Sequence, residues 1–403
     1  MTELAVYLAD ERAGALIRKD NGNLQFRYAS DYSGPPVSWS LPIQPDAHPH
    51  AVCRAVFGGL LPEGDGREAL ARNIGVSAGN DYALLEEVGG DCAGAIALLD
   101  PASDRPTDPT IRWLDPDSLD EILRDLPQRP LAADPAEGIR LSLAGAQPKT
   151  PVIVDGDRIG QPTSLAAPTT HIVKPEPAAF PGLVDNEAFC MELARAAELA
   201  VATVSKHTSS SGLPYLLVER YDRDLTTDPI RRLHQEDFCQ ALGVPADRKY
   251  QAEGGPGVRD AIELLRSASP APALELPRLW EALVFNWMIG NCDAHAKNFS
   301  LLYDTGAPTL APFYDLVSTR MYERLTTRLA MSIGGATHIG DVTPMAWTEL
   351  ARAAGLSERF ARTTTARVVE RVKAAAPGLA EQSAHANDTV AALLARIAAI
   401  DPV

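Results

Sequence analysis

The residues best suited to chemistry lie in the stretch Asn286 to Ser300, which reads NWMIGNCDAHAKNFS. Asp293 and Asn298 stand five positions apart there, behind one apolar run and ahead of another. A carboxylate so placed can take a proton from a hydroxyl, and a nearby amide oxygen can hold a hard cation. A second carboxylate, Asp315, closes the next apolar run, Leu310-Ala311-Pro312-Phe313-Tyr314. Two carboxylates and an amide a hairpin apart fit a magnesium–phosphate site, because magnesium takes few protein oxygens and fills its remaining positions from phosphate and water. A lone D-x-x-x-x-N usually marks a solvated loop. Here a helix before it, Lys297 within it and a strand-terminal Asp315 after it favour phosphoryl transfer.

Such a loop needs a rigid support. Leu279, Leu283, Trp287 and Met288 recur at helical spacing and predict a buried helix delivering it. Upstream, Leu141 to Thr150 (LSLAGAQPKT) leads into a strand, Pro151–Val154. The small residues Ala144, Gly145 and Ala146 would let backbone N–H groups approach an anion, with Gln147, Pro148 and Lys149 completing the loop. Ser142 reads as an exposed hydroxyl at its edge, open to phosphorylation. The run Thr170-His171-Ile172-Val173-Lys174 is a strand ending in a lysine, where a kinase places one against the α- and β-phosphates. An edge-strand lysine snorkelling to water is the blander alternative. A helix over Asn186–Arg195 follows, with Phe189, Leu193 and Ala196 on one face and Asp185 or Asn186 as its cap. Its Glu187 or Glu192 could face that lysine, and the sequence does not choose between them. Tyr215 to Arg223 is an apolar strand turning polar, as a nucleotide-binding hinge requires, and Leu233 to Gly243 opens a helical half.

The N-terminal third begins with strand-like runs at Leu4–Leu8, Ala15–Arg18, Leu24–Tyr28 and Val37–Leu41, with Asn21-Gly22 as a hairpin signal. Residues 51–85 are helical in pieces, broken at Leu60-Leu61-Pro62-Glu63-Gly64. Gly89 to Leu99 is a glycine-rich turn into a strand, without the pattern of a phosphate cradle. His48 and His50 lack a third nearby ligand and read as a polar loop.

Composition sets bounds. At 403 residues the chain can hold more than one domain. It has no 18-residue apolar run, and its acidic start, Met1-Thr2-Glu3-Leu4-Ala5, is unlike a signal peptide. The five cysteines are scattered without a C-x-x-C and read as buried thiols of a reducing, cytoplasmic compartment. A net charge of -16 argues against direct DNA binding. The basic stretch Arg359 to Lys373 reads as a solvated helix face, and the Ala-rich tail from Ala375 as helical.

These motifs, in this order, resemble the HipA family of toxin serine/threonine kinases, the kinase half of type II toxin–antitoxin systems. The likeness rests on Ser142–Thr150, His171–Lys174, Val218–Arg223, Gln235–Gly243, Asn291–Asn298 and Leu310–Asp315. It extends to Gly58–Gly64 and Gly90–Ala95 in the N-terminal third. It implies an α+β, bilobal, protein-kinase-like fold with an N-terminal β-rich subdomain and a mostly helical C-terminal lobe. The corresponding divisions are 1–105 for the subdomain, 106–135 for a linker carrying a short helix at Leu119–Leu126, 136–230 for the nucleotide-binding part and 231–403 for the catalytic lobe. The resemblance implies ATP and Mg2+ as cofactors, Asp293 as catalytic base, and Asn298 and Asp315 as metal ligands. It places Ala144, Gly145, Ala146, Gln147, Pro148 and Lys149 in the phosphate loop, and Lys174, His295 and Lys297 beside the phosphates. Glu219, Arg220 and Tyr221 would form the hinge, and Ser142 the autophosphorylated serine whose modification expels the loop. The implied partners are a HipB-like helix-turn-helix antitoxin, through which DNA is bound indirectly, and a protein substrate such as an aminoacyl-tRNA synthetase, glutamyl-tRNA synthetase among them. Pro148 departs from the family, which usually has an acidic residue there; it removes one loop N–H and stiffens the loop. A catalytically weak co-repressor is the alternative from another class. A small-molecule or lipid kinase is a third, and the lack of a membrane-facing basic patch counts against lipids.

Overall fold

A computed structural model of the chain describes residues 2–103, 106–133, 139–304, 306–382 and 388–400. It divides into two compact units: residues 1–177, 207–247 and 302–306 form one, and residues 178–206, 248–301 and 307–403 the other.

The first unit opens with a four-stranded antiparallel sheet in the order Leu24–Tyr28, Glu11–Arg18, Thr2–Leu8, Ile96–Leu99. Leu4, Val6 and Leu8 alternate inward and join Leu16, Phe26 and Leu98 in one core. Three helices, His50–Gly58, Gly64–Ile74 and Asp81–Val88, add Phe57, Leu70 and Leu84 to it. The first two are separated by residues 59–63, within one residue of the expected break at Leu60–Gly64, and Gly64 itself opens the second helix.

Val37–Leu41 is not the strand expected. It is a tight turn closed by the Leu41 N–H on the Ser38 carbonyl at 3.0 Å. Polar groups override its alternation. The Ser38 hydroxyl donates to Glu236 Oε2 at 2.5 Å, the Trp39 N–H donates to Glu236 Oε1 at 2.8 Å, and Tyr28 Oη donates to the Leu41 carbonyl. The two histidines are occupied locally: His48 Nε2 meets the Pro42 carbonyl, and His50 Nδ1 accepts from the Leu24 N–H.

The same unit holds a second antiparallel sheet in the order Ile111–Trp113, Arg158–Pro162, Thr150–Asp155, His171–Pro175, Pro214–Glu219. Val152, Val173 and Leu217 form its core with Leu123. The segment 106–135, read as a linker, supplies the edge strand Ile111–Trp113 and a helix at Pro116–Asp125, capped by the Asp115 side chain on the Ser118 N–H. Residues 134 and 135 of that segment lie outside the described residues. Leu233–Gly243 belongs to this unit rather than to the helical one: His234–Asp237 is a strand, followed by a short helical turn with an Asp237–Gln240 capping box.

The second unit is mostly helical. Helix Glu358–Gln382 packs against Pro272–Ile289, Pro344–Ala353 and Leu183–Ala196. Trp280 anchors the packing, its indole donating to Thr365 Oγ1 and its ring meeting those of Trp347 and Phe360. The basic face beyond Arg359 is not purely solvated, since Arg367 pairs with Glu281 and Arg371 with Glu198. Helix Leu183–Ala196 starts earlier than expected. Its cap is Gly182 in a left-handed conformation, φ 77°, with no side-chain cap. That frees Asp185 to pair with Lys206 and Asn186 to face inward, while Ala196 is exposed. The tail is helical at Asp388–Ala398. All five cysteines are buried, and none is in a disulfide. Among the described residues, no helix is long and apolar enough to cross a membrane.

Candidate active site

The second unit carries the residues expected to accept the proton and to hold the metal, Asp293, Asn298 and Asp315. Helix Pro272–Ile289 ends at Gly290, whose N–H returns to Asn286 and Trp287 at φ 79°. A side chain there would meet Arg396 at 2.7 Å and Arg320 at 2.8 Å, so conformation and space both require glycine. The chain then folds back on its own helix. The Asn291 amide donates to Asn286 Oδ1 at 2.8 Å, and the Asp293 N–H donates to Asn291 Oδ1 at 3.0 Å. Thr319 pins the same loop from a distant segment, accepting from the Cys292 N–H at 2.9 Å and donating to the Gly290 carbonyl at 3.0 Å.

The Asp293 carboxylate emerges from this rigid base into solvent, half exposed. Tyr250 Oη donates to its Oδ1 at 2.8 Å, and the Tyr250 ring stands edge-on to His295, centroids 5.4 Å apart. His295 Nε2 lies 3.9 Å from Asp293 Oδ2. His295 and Lys297 are buried.

Tyr314 ties together the segments bearing the two expected metal ligands. Its hydroxyl donates to the Lys297 carbonyl at 2.8 Å and pairs with Ser300 Oγ at 2.7 Å. The Ala311 N–H bonds the Ser300 carbonyl, and Phe299 meets Phe313 edge-on. Asp315 follows at φ 57°, a left-handed conformation uncommon for a residue with a Cβ. Asn186 holds the chain just beyond it, donating to the Ser318 carbonyl and accepting from the Ser318 N–H. Asn298 Oδ1 is buried without a hydrogen-bond partner among the described residues. An orphaned amide oxygen followed by a carboxylate on a clamped hairpin is a donor set that suits a hard cation.

The first unit carries the expected phosphate loop, lysine and hinge. The loop of residues 144–149 is closed by Lys149 Nζ donating to the Ala144 carbonyl at 2.9 Å. Gly145 sits at φ 110°, and a Cβ there would lie 2.6 Å from Lys149 Nζ. The Gly145 carbonyl accepts from the Glu63 N–H at 3.1 Å, so the loop rests on the break between the first two helices. Ser142 is not the exposed hydroxyl expected. It is fully buried, its Oγ donating to the Leu60 carbonyl at 2.8 Å and its N–H to the Asp91 carbonyl at 3.1 Å. Lys174 is buried on its strand, in register with Leu216.

In the hinge stretch, Glu219 pairs with His171 and is half-buried, and Tyr221 Oη donates to Gln235 Oε1 at 2.5 Å. The Arg220 side chain turns inward. Its guanidinium donates to Asp222, Thr169 Oγ1 and the Cys92 carbonyl, and Arg223 reaches Asp91 Oδ1 at 2.8 Å. Burial alone would raise the Asp91 carboxyl, but Arg223, Arg232 and Arg220 hold it well below the usual carboxylate range. Burial pushes the Arg223 guanidinium down to about 10, with Arg220 adding to the effect and Asp222 and Asp91 opposing it.

Several of these positioning groups carry no motif. Tyr250 is 43 residues from Asp293, and Thr319 is 27 residues from Cys292. Only Gly58–Gly64 and Gly90–Ala95 stood out beforehand, and they are where the loop and Asp91 make their contacts.

Two family models match the chain: the HipA N-terminal domain over residues 4–99 and the HipA-like C-terminal domain over residues 141–376. The protein Y4mE of Sinorhizobium fredii is 44% identical over 368 residues, covering 89% of this chain and 87% of that protein. The serine/threonine-protein kinase toxin HipA of Shewanella oneidensis is 32% identical over 320 residues, covering 76% of this chain and 72% of the toxin. A solved complex of Shewanella oneidensis HipA, HipB and operator DNA matches with a TM-score of 0.85 at 27% identity, over 98% of this chain and 96% of that one. With both models placed, the Asp293 loop intact and the α+β, kinase-like fold in agreement throughout, the chain belongs to the HipA family of toxin protein kinases.

Proposed function

We propose that this kinase transfers the γ-phosphate of ATP to a serine or threonine hydroxyl of a protein target. The observation that carries the reading is the Asp293 loop: an exposed carboxylate on a rigid base, with the buried, partnerless Asn298 Oδ1 on the same loop. Asp293 orients the acceptor hydroxyl and takes its proton as the new O–P bond forms and the bond from the γ-phosphorus to the β–γ bridging oxygen breaks, releasing ADP. Lys174, Lys149 and the loop amides of residues 144–149 hold the nucleotide phosphates, with His295 and Lys297 beside the group in transfer. Glu219, Arg220 and Tyr221 line the adenine, Arg220 acting through the fold of the hinge because its side chain is sealed inside. Asn298 and Asp315 would hold magnesium, which when bound supplies charge neutralisation on the phosphoryl oxygens.

Ser142 serves as the autophosphorylation site. A buried hydroxyl must leave the Leu60 carbonyl to react, and a phosphate cannot return to that place, so modification holds the loop out and the kinase off. The partner is a HipB-like antitoxin, a reading supported by the HipA–HipB–operator DNA complex and by the charge of -16, which leaves the basic DNA surface to the partner. An aminoacyl-tRNA synthetase, glutamyl-tRNA synthetase among them, is the target class to test first.

Intact-mass spectrometry of the chain with and without magnesium-ATP, beside Asp293→Gln, tests the reading. A phosphate-sized gain on Ser142 that is absent from the variant is expected. A gain that persists in Asp293→Gln overturns the role of Asp293. No gain, with ATP bound, favours the co-repressor reading.

A further inference from the structure

The tail helix Asp388–Ala398 packs on the helix that presents the Asp293 loop, Pro272–Ile289, and on Glu358–Gln382 and Leu183–Ala196, all within the second unit. Val390, Leu393 and Ile397 are buried at helical spacing, so an apolar stripe fixes the tail in place. Lys373 adds a polar clasp, its ammonium donating to the carbonyls of Ala398 and Ile400. The helix docked in this way sends one side chain to the base of the loop. Arg396 Nη2 donates to the Trp287 carbonyl at 2.8 Å, and its Nε donates to the Met288 carbonyl at 3.1 Å. Gly290 leaves room for the guanidinium, because a Cβ there would lie 2.7 Å from Arg396 Nε.

This contact supplies what helix Pro272–Ile289 lacks. The last turn of a helix leaves carbonyls without N–H partners and carries a partial negative charge. This helix has no basic residue in its last turn, and the cation that meets its end comes from 108 and 109 positions further along the chain. Burial lowers the Arg396 guanidinium, with Cys292 opposing and Arg320 adding to the effect. The group is thus partly withdrawn from water, where its attraction to the carbonyls is screened less. A second clasp holds the same corner, the Arg320 N–H donating to the Gly290 carbonyl at 3.3 Å.

We infer that Arg396 is a positioning residue for phosphoryl transfer: it clamps the end of the helix from which the Asp293 loop departs, so the tail helix sets where that carboxylate stands. Arg396 acts through the backbone of residues 287–293 rather than by touching nucleotide or acceptor. A small displacement of a proton acceptor from its working geometry is enough to slow a reaction greatly. The proposed phosphate loop, Lys174 and hinge belong to the first unit, so the loss falls on the rate rather than on ATP affinity. The inference rests on the kinase reading, since it names a support for the same carboxylate.

The test follows the Ser142 mass gain over time at increasing magnesium-ATP, in the full-length wild-type chain, Arg396→Leu and Arg396→Lys. Leucine keeps an apolar stem and removes both donors, while lysine keeps a cation that can reach a carbonyl. Arg396→Leu should lower the saturated rate about tenfold with the half-saturating ATP concentration within about twofold, and Arg396→Lys should recover most of the rate. Hydrogen exchange should show protection at residues 290–293 lowered about tenfold in the leucine variant. Lys373→Met, which loosens the tail without touching the carbonyls, is the second variant and should give the same pattern at smaller size. An unchanged rate in both Arg396→Leu and Lys373→Met, a rate loss matched by a rise in half-saturating ATP, or no recovery with lysine overturns the inference. A wild-type chain that gains no phosphate would instead fail the kinase reading. Exchange needs no turnover, and unaltered protection at residues 290–293 in Arg396→Leu would overturn the clamp by itself.

Discussion

The phenol of Tyr250 donates to Asp293 Oδ1 at 2.8 Å while its ring stands edge-on to His295, so one side chain sets both the carboxylate and its neighbour. Removing only the hydroxyl, in Tyr250→Phe, keeps the ring contact and releases the carboxylate. A hydrogen bond to a charged group is worth about 1.5–3 kcal/mol, so single-turnover transfer should slow about tenfold or more, with nucleotide affinity unchanged. An unaltered rate would mean that the loop backbone alone orients Asp293.

The proposed metal ligands make a separable prediction. Asn298→Ala and Asp315→Asn should each raise the magnesium concentration needed for half-maximal ATP binding, on the order of tenfold, because a magnesium site of one or two protein oxygens has none to spare. Asparagine tolerates the left-handed conformation at position 315, which keeps backbone strain out of the comparison. Titration calorimetry with and without magnesium reads the result, and ATP binding in the absence of metal should not change.

On the proposed reading, Ser142 links stability to regulation. Ser142→Ala should abolish the phosphate mass gain at a cost of about 1 kcal/mol, the worth of one buried hydrogen bond. Ser142→Asp places a charge where the wild-type hydroxyl is fully buried. Hydrogen exchange should then show lost protection at residues 60–64 and 144–149 together, because the Leu60 and Glu63 contacts hold both segments. Protection unchanged in both segments would show that the loop does not depend on that contact.

Glu236 gives the first unit a pH dependence. Burial pushes its carboxyl up to about 7, against the donors Ser38, Tyr303 and the Trp39 N–H that favour the charged form. A carboxyl raised in the fold contributes stability that is complete below the unfolded value and lost as pH rises through the folded one. Wild-type stability should therefore fall relative to Glu236→Gln between about pH 4.5 and pH 7, by up to about 3 kcal/mol. Melting temperatures of the two proteins across that range should converge or cross; a constant difference would place the Glu236 titration elsewhere.

Side-chain alternation was a sound guide where a face had only to be buried, as in the strands at residues 4–8 and 24–28. It failed at Val37–Leu41, where Glu236, almost two hundred positions away, offers polar partners that a one-dimensional pattern cannot contain. The same blindness applied to the cap of helix Leu183–Ala196: Asp185 and Asn186 have cap chemistry, but Lys206 and Ser318 claim them.

The sequence by itself determined the chemistry on offer. Asp293, Asn298 and Asp315 carry the proposed chemistry by type and spacing, because ligand chemistry depends on residue type and near neighbours. Only the tertiary structure decided which groups support that chemistry and which are withdrawn from solvent. Tyr250 reaches Asp293, Tyr314 ties the two ligand-bearing segments, Arg220 turns into an ionic core, and Ser142 disappears beneath the Leu60 carbonyl. Burial and hydrogen-bond partnership are properties of residues brought together from far apart in the chain, and no local pattern encodes them.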